Sequence, residues 1–244
     1  MMIWAHRGAR RQAPENTLPA FRRAVELGAE GVEFDVQLSA DGIPVVIHDE
    51  TLDRTTDGHG RVVDHTLAQL RELDASAGRP GFAGVRIPTL EAVLATLAPA
   101  PLAINIELKN SVVDYPGLER AVLDTVADQH LAERVLLSSF NAESVQRLGA
   151  LTSIPRALVY ERLLRRPWAL ALRLGATAVH PPSRFVLSRA YVARAHQVGL
   201  AVRVWTVNSE REVERMHRCG VDGIFTDVPD VALAVRDRLD ASLP

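Results

Sequence analysis

Short apolar runs of strand periodicity alternate with amphipathic stretches of helical period along most of the chain. The runs predict strands over 3–6, 32–36, 45–48, 103–108, 135–138, 157–159, 178–180, 201–207 and 223–226. Helices fit between most of them. Thr17 is a candidate N-cap for a helix with Leu18, Phe21 and Val25 on one face and Gly28 as its stop. Thr89 can cap a helix that turns Leu90, Val93, Leu94 and Leu97 inward, and Ser209 can open one carrying Val213 and Met216 and ended by Gly220. Alternating β and α over 244 residues predicts an α/β fold, a TIM (β/α)8 barrel, with an open doubly wound sheet as the alternative. Nine candidates for eight barrel places leave one extra or misassigned. The doubtful pair is 32–36 and 45–48, because the Asp41-Gly42 turn signal between them leaves no room for a helix.

The stretch 50–88 breaks the alternation. It is rich in Gly, Asp, Thr and Arg and accommodates one helical piece, 67–73. It reads as a small insertion after the third strand-like segment, lying over one end of the barrel. The whole of 1–244 is then expected to form one domain, with no internal repeat.

Strands of a parallel barrel are normally buried on both faces and read as unbroken apolar runs. Two strands here depart from that. In "VEFDV", Val32, Phe34 and Val36 share one face, and Glu33 and Asp35 share the other. In "AINIELKN", Ile104, Ile106 and Leu108 oppose Asn105, Glu107 and Lys109. If the apolar faces pack on outer helices, the charged faces point into the barrel, near the carboxyl ends where active sites lie. Three carboxylates converging there would repel one another and lose hydration, so either their pKa values rise or a cation joins them. Oxygen-only ligands favour Mg²⁺ or Ca²⁺, with Mn²⁺ a further candidate. The plainer alternative is separate, solvated or salt-bridged residues at strand ends. His6 and His48 each close a strand-like run and are each followed by a charged residue, Arg7 or Asp49, which suits a general acid and a general base. Arg7 and Lys109 bring positive charge to the same place, pointing to an anionic substrate such as a phosphate.

Composition narrows the field further. A net charge of −2 gives no footprint for nucleic acid or an anionic membrane. The single cysteine, Cys219, lies late in a helical pattern and reads as a packing residue in a reducing compartment. No segment is apolar for long enough to span a bilayer, and His6-Arg7 fall too early for a signal peptide. The expectation is a soluble, cytoplasmic protein acting on a small molecule. Among 28 basic residues Lys109 is the only lysine, so something other than charge holds it there.

In order along the chain stand "HRG" (6–8), "PENT" (14–17), "EFDVQLSADGIPVVIHD" (33–49), "LDRTT" (52–56), "IPTLEAVL" (87–94), "IELK" (106–109), "SSF" (138–140), "VWTVN" (204–208) and "DGIFTDVP" (222–229). Together they resemble the glycerophosphodiester phosphodiesterase family over nearly the whole chain. The resemblance implies a TIM barrel with a small insertion. It also implies metal-dependent hydrolysis of glycerophosphodiesters, such as glycerophosphocholine or glycerophosphoethanolamine, to sn-glycerol 3-phosphate and an alcohol. It makes Glu33, Asp35 and Glu107 the ligands of one divalent ion and His6 and His48 the acid/base pair. Arg7 and Lys109 would hold the phosphate, and Phe140 and Trp205 would line the glycerol or leaving-group pocket. Pro14–Thr17 would be structural. The nucleophile is either water or the neighbouring glycerol hydroxyl, which attacks first in similar phospholipase C barrels. A lysophospholipase D and a non-catalytic phosphate-binding barrel are the competing readings.

Overall fold

The computed structural model describes residues 1–241. Eight parallel strands close a ring: β1 (Met2–His6), β2 (Gly31–Leu38), β4 (Ala103–Leu108), β5 (Val135–Ser139), β6 (Arg156–Val159), β7 (Ala178–His180), β8 (Ala201–Val204) and β9 (Gly223–Thr226). β1 pairs with both β2 and β9, which completes the barrel. The ninth candidate strand is β3 (Pro44–Val46), a short antiparallel partner of the end of β2, outside the ring. The expected strand over 45–48 therefore stops before His48, which lies in the loop beyond it. The run 201–207 likewise ends early, at Val204.

Helices α1 (Leu18–Glu26), α3 (Leu90–Leu97), α4 (Leu118–Asp128), α5 (Ala142–Leu151), α6 (Pro167–Arg173), α7 (Arg189–His196), α8 (Glu210–Cys219) and α9 (Pro229–Ala241) surround the strands, and α2 (Leu67–Glu72) lies in the 50–88 segment. Period-2 alternation decides what each strand face meets. Val32, Phe34, Val36, Ile104, Ile106 and Leu108 point outward into one apolar cluster with Phe21, Leu90, Val93, Leu94 and Leu97, all buried. Thr89 and Ser209 cap α3 and α8 as expected, accepting from the amides of Ala92 and Glu212. Gly220 ends α8 at φ +76°, a conformation open to glycine. Thr17 occupies the N-cap of α1, but its hydroxyl donates to the Pro14 carbonyl at 2.6 Å, so it braces the preceding loop. Cys219 is buried in the second outer cluster, as a packing residue. No helix among the described residues is long and apolar enough to cross a membrane.

The barrel floor is filled from inside. Trp4 spreads its ring over Gly31 and Gly223, while Leu136, Ala157, Ala178 and Ala201 pack together nearby. The segment 50–88 has its own small core of Leu52, Val62, Leu70, Ala75 and Ile87. It reaches the carboxyl end of the barrel, where Arg79 donates to the carbonyls of Arg10 and Arg11 at 2.9 Å each.

A Cβ on Gly31 would fall 2.4 Å from the Trp4 ring, too close for any real contact. Gly31→Ala should therefore overpack the floor and destabilise the fold by about 1–3 kcal/mol. Urea denaturation measures this; an unchanged midpoint would show that the Trp4 ring is free to move aside.

Candidate active site

β2 and β4 pair in register, setting Glu33 beside Asn105 and Asp35 beside Glu107. One carboxylate oxygen from each of Glu33, Asp35 and Glu107 lies within 4.8 Å of the others, and all three face the barrel interior. Burial, with Asp35 and Glu107 close by, pushes the Glu33 carboxyl well above the usual carboxylate range. Burial likewise raises Glu107, against the opposing charge of Lys109. Asp35 goes the other way: burial is outweighed by His48, Arg7, Lys109 and a hydrogen bond from Asn16, which hold it far below its ordinary value. On its own charges the cluster is thus under-neutralised, with Glu33 driven to take up a proton. A divalent ion would relieve that, and an all-oxygen donor set suits a hard one. Asn105 adds a buried Oδ1 with no partner beside the cluster. The residues present fit a divalent metal.

Both predicted histidines reach this cluster. His6, at the end of β1, places Nε2 at 4.0 Å from Glu33 and is held through Nδ1 by Asp227 at 2.7 Å. Burial, reinforced by the Arg7 charge, lowers the His6 pKa despite Asp227. His48 has the matching arrangement: Nδ1 lies 2.6 Å from Asp49, and Nε2 lies 3.4 Å from the Lys109 ammonium. With a carboxylate at each Nδ1, each ring turns its Nε2 toward the site.

The cations are equally constrained. Arg7 sits at φ +56°; its backbone N–H donates to Glu33 at 3.0 Å, while its guanidinium lies 2.8 Å from Glu15 and 3.4 Å from Asp35. Lys109 is buried, 3.2 Å from Glu107 and 3.9 Å from Asp35, with its ammonium 5.7 Å above the Phe140 ring. Phe140 and Trp205 meet edge to face at 5.7 Å across the cavity from the carboxylates. All nine predicted site residues thus converge on the carboxyl end of the barrel.

The supporting residues escaped the sequence reading. Asp227, behind His6, sits two beyond Phe225, where the inward period of β9 continues, and that spacing was the available signal. Segment 14–17 does more than brace the chain: Asn16 donates to Asp35 at 2.9 Å, and Glu15 accepts from Arg7 and Arg54. Arg54, from the 50–88 segment, also grips Asp49 at 2.6 and 2.9 Å. A chain of contacts therefore runs from His48 through Asp49, Arg54 and Glu15 to Arg7.

A parallel barrel whose mouth joins buried carboxylates, two carboxylate-backed histidines and two cations defines a TIM-barrel phosphodiesterase. The chain belongs to the glycerophosphoryl diester phosphodiesterase family, whose sequence model matches residues 6–231. It is 42% identical over 234 residues to a glycerophosphodiester phosphodiesterase of Caldanaerobacter subterraneus, covering 95% of this chain and 96% of that one. A phosphodiesterase of Oleispira antarctica, solved in complex with the product sn-glycerol-3-phosphate, shares 31% identity over 97% of each chain with a TM-score of 0.87. A crystal structure of a putative glycerophosphoryl diester phosphodiesterase from Agrobacterium tumefaciens superposes with a TM-score of 0.91 at 27% identity, over 99% of each chain.

Glu15 is the hub joining Arg7 to Arg54. Burial opposes its ionisation, but Arg54, Arg7 and Arg10 together bring its pKa down to about 2. Its contribution to stability is then present in full above its unfolded value of about 4.5 and is lost as pH falls toward 2. Glu15→Gln should cost on the order of 1–3 kcal/mol at pH 7, and the gap to the parent chain should close on titration from pH 4.5 to 2. Equal gaps at pH 7 and pH 2.5 in chemical denaturation would assign the loss to something other than this charge.

Proposed function

We propose that the chain hydrolyses glycerophosphodiesters to sn-glycerol 3-phosphate and an alcohol, with a divalent ion at Glu33, Asp35 and Glu107 and with His6 and His48 as the acid/base pair. The observation that carries this reading is the buried three-carboxylate cluster with a histidine Nε2 on either side of it. The product bound in the Oleispira relative supports the substrate class. When bound, the ion supplies Lewis-acid polarisation of the phosphoryl oxygens and stabilises charge in the transition state. Arg7 and Lys109 face the same oxygens and orient the diester. One histidine, neutral at Nε2, takes the proton of the attacking water, or of the glycerol hydroxyl whose cyclic phosphate water then opens; the other, protonated beforehand, gives its Nε2 proton to the departing alkoxide. Asp227 and Asp49 hold the two rings and stabilise the imidazolium form of each.

The cavity between the carboxylates and the aromatic pair has a volume of about 60 Å³, room for a few water-sized groups. We further propose that residues 1–244 act as one catalytic domain, that 50–88 is the insertion bracing its mouth through Arg54 and Arg79, and that the chain works in the cytoplasm without nucleic acid as a partner. The lone buried Cys219 suits a reducing compartment.

An activity screen with glycerophosphocholine and glycerophosphoethanolamine tests the reading. Turnover should vanish in metal-stripped protein and return with Mg²⁺, Ca²⁺ or Mn²⁺. Full activity after exhaustive chelation would sink the metal assignment. His6→Ala and His48→Ala should each lower kcat by roughly 10²–10⁴-fold at saturating metal, and losses under tenfold in both would remove the acid/base roles.

A further inference from the structure

Single exposed apolar side chains are ordinary on a folded protein; several gathered at one end are not. Among the described residues three large apolar side chains are more than half exposed: Val112 at 75%, Leu163 at 77% and Leu187 at 76%. They lie in the loops that follow β4, β6 and β7. A loop after a barrel strand leaves its carboxyl end, so all three belong to the end that carries the active site. The β6 and β7 loops also meet. Tyr160 stacks on Phe185 with centroids 6.4 Å apart, and Arg184 donates to the Glu161 carbonyl. The two loops therefore form one surface, with a protruding leucine from each.

Charge is distributed as unevenly as apolar surface. Residues 161–194 hold seven arginines and one carboxylate, Glu161, a net +6 in a chain whose total is −2. The low overall charge thus averages a basic sector with an acidic remainder. All seven arginines are exposed, and none pairs with a carboxylate among the described residues. Arg162, Arg165 and Arg166 flank Leu163, while Arg184 and Arg189 flank Leu187. Arg184 and Arg189 donate to the carbonyls of Glu161 and Arg218, which leaves both charges uncompensated. Elsewhere the chain does neutralise its arginines: Arg54 pairs with Glu15 and Asp49, and Arg236 with Glu30 and Asp237.

Unpaired arginines call for an anionic partner, and protruding aliphatic side chains call for an apolar one. An anionic bilayer surface supplies both, with phosphate headgroups lying over hydrocarbon. A nucleic acid matches the charge, but single strands are held by stacking on aromatic side chains and give two leucines little to bury against. We propose that the β6 and β7 loops dock the barrel peripherally on an anionic lipid surface, with Leu163 and Leu187 entering the headgroup region and the flanking arginines bound to lipid phosphates. Two leucines and a basic patch give reversible attachment, not insertion. Val159 and His180, which end the same two strands, line the cavity, so docking sets the active site beside the lipid.

Co-sedimentation of the full chain with vesicles tests this. At low salt the protein should bind mixed phosphatidylcholine–phosphatidylglycerol vesicles at least about tenfold more tightly than phosphatidylcholine alone. Added salt should release it, since exposed charges are screened beyond about 10 Å at 0.1 M. The triple variant Arg162→Gln, Arg165→Gln, Arg166→Gln and the double variant Leu163→Ser, Leu187→Ser should each weaken binding to the mixed vesicles at least about tenfold. Both leave the catalytic groups untouched, so the melting curve and kcat/KM on dissolved glycerophosphocholine should match the parent chain. No binding to the mixed vesicles at low salt overturns the proposal, and so does binding that neither variant weakens. Two rival occupants are read with the same variants. Mixed-sequence RNA bound as tightly as the vesicles, and equally well by the serine variant, would assign the patch to nucleic acid. A dimer in solution that the serine variant dissolves would assign the leucines to a second copy of the chain. Either result overturns lipid docking. Vesicle binding needs no turnover, so its outcome is independent of the proposed phosphodiesterase activity.

Discussion

The mutual repulsion of Glu33, Asp35 and Glu107 is the constraint around which the barrel mouth is organised. In-register pairing of β2 and β4 leaves their side chains no freedom to separate. Water cannot screen them well, because Glu33 and Asp35 are almost wholly buried. Each nearby cation can be understood as an answer to that field. Arg7 turns its backbone N–H to Glu33 and its guanidinium toward Asp35, and Lys109 lies between Asp35 and Glu107. Two cations against three carboxylates still leave a deficit, which falls on Glu33. A divalent ion has the charge to remove it, so the same imbalance that would destabilise an apo barrel is one that a bound metal would relieve.

The second layer holds the first in place. His6 closes β1 and His48 lies in the loop after β3, yet both present Nε2 inward because a carboxylate anchors each Nδ1. On the His48 side the anchor is itself gripped. Arg54 bridges Asp49 to Glu15, and Glu15 reaches on to Arg7. A loop histidine, a loop arginine and a segment outside the barrel alternation are thereby fixed to the first turn of the chain. Loops carry function well only when something rigid positions them; here ion pairs do that, anchored on the largely buried Glu15 while Arg54 stays partly exposed.

The sequence made the strand-borne part of this site readable and hid the rest. Glu33, Asp35, Glu107 and Lys109 were visible because period 2 sorts a strand into two faces and a charged face inside an apolar run is unusual. The helices of Thr89 and Ser209 were equally plain, since local capping chemistry decided them. The strand over 45–48 was misjudged because Val45, Val46 and Ile47 are buried whether or not the ladder continues; Ile47 packs into the insertion core while the chain leaves the sheet. Asp227 lies 221 residues from His6, and no local pattern reports a contact at that range. Glu15 and Asn16 looked like parts of a loop because only the folded ring brings them to Arg54 and Asp35. Thr17 met every local requirement of a cap, and a nearby carbonyl claimed its hydroxyl.

The division of labour along each strand explains how one barrel accommodates both a core and so much charge. Outward residues carry the hydrophobic packing against the helices, in two large clusters that include few inward side chains. Inward residues near the amino ends include Gly31, Ala157, Ala178, Ala201 and Gly223, and Trp4 fills the floor over the two glycines with the Arg203 guanidinium 5.6 Å from its ring. Only the inward positions near the carboxyl ends remain for chemistry. Around that level the ring is polarised. β1, β2, β4 and the residue just beyond β4 supply His6, Glu33, Asp35, Glu107 and Lys109, while β6 and β7 and the segments just beyond β5 and β8 supply Val159, His180, Phe140 and Trp205. A diester has the same two-sided character, an anionic centre with less polar arms. The polarity of the cavity therefore follows from which strands carry carboxylates, and the stability of the fold is largely separate from it, because the faces that pack the helices are not the faces that line the site.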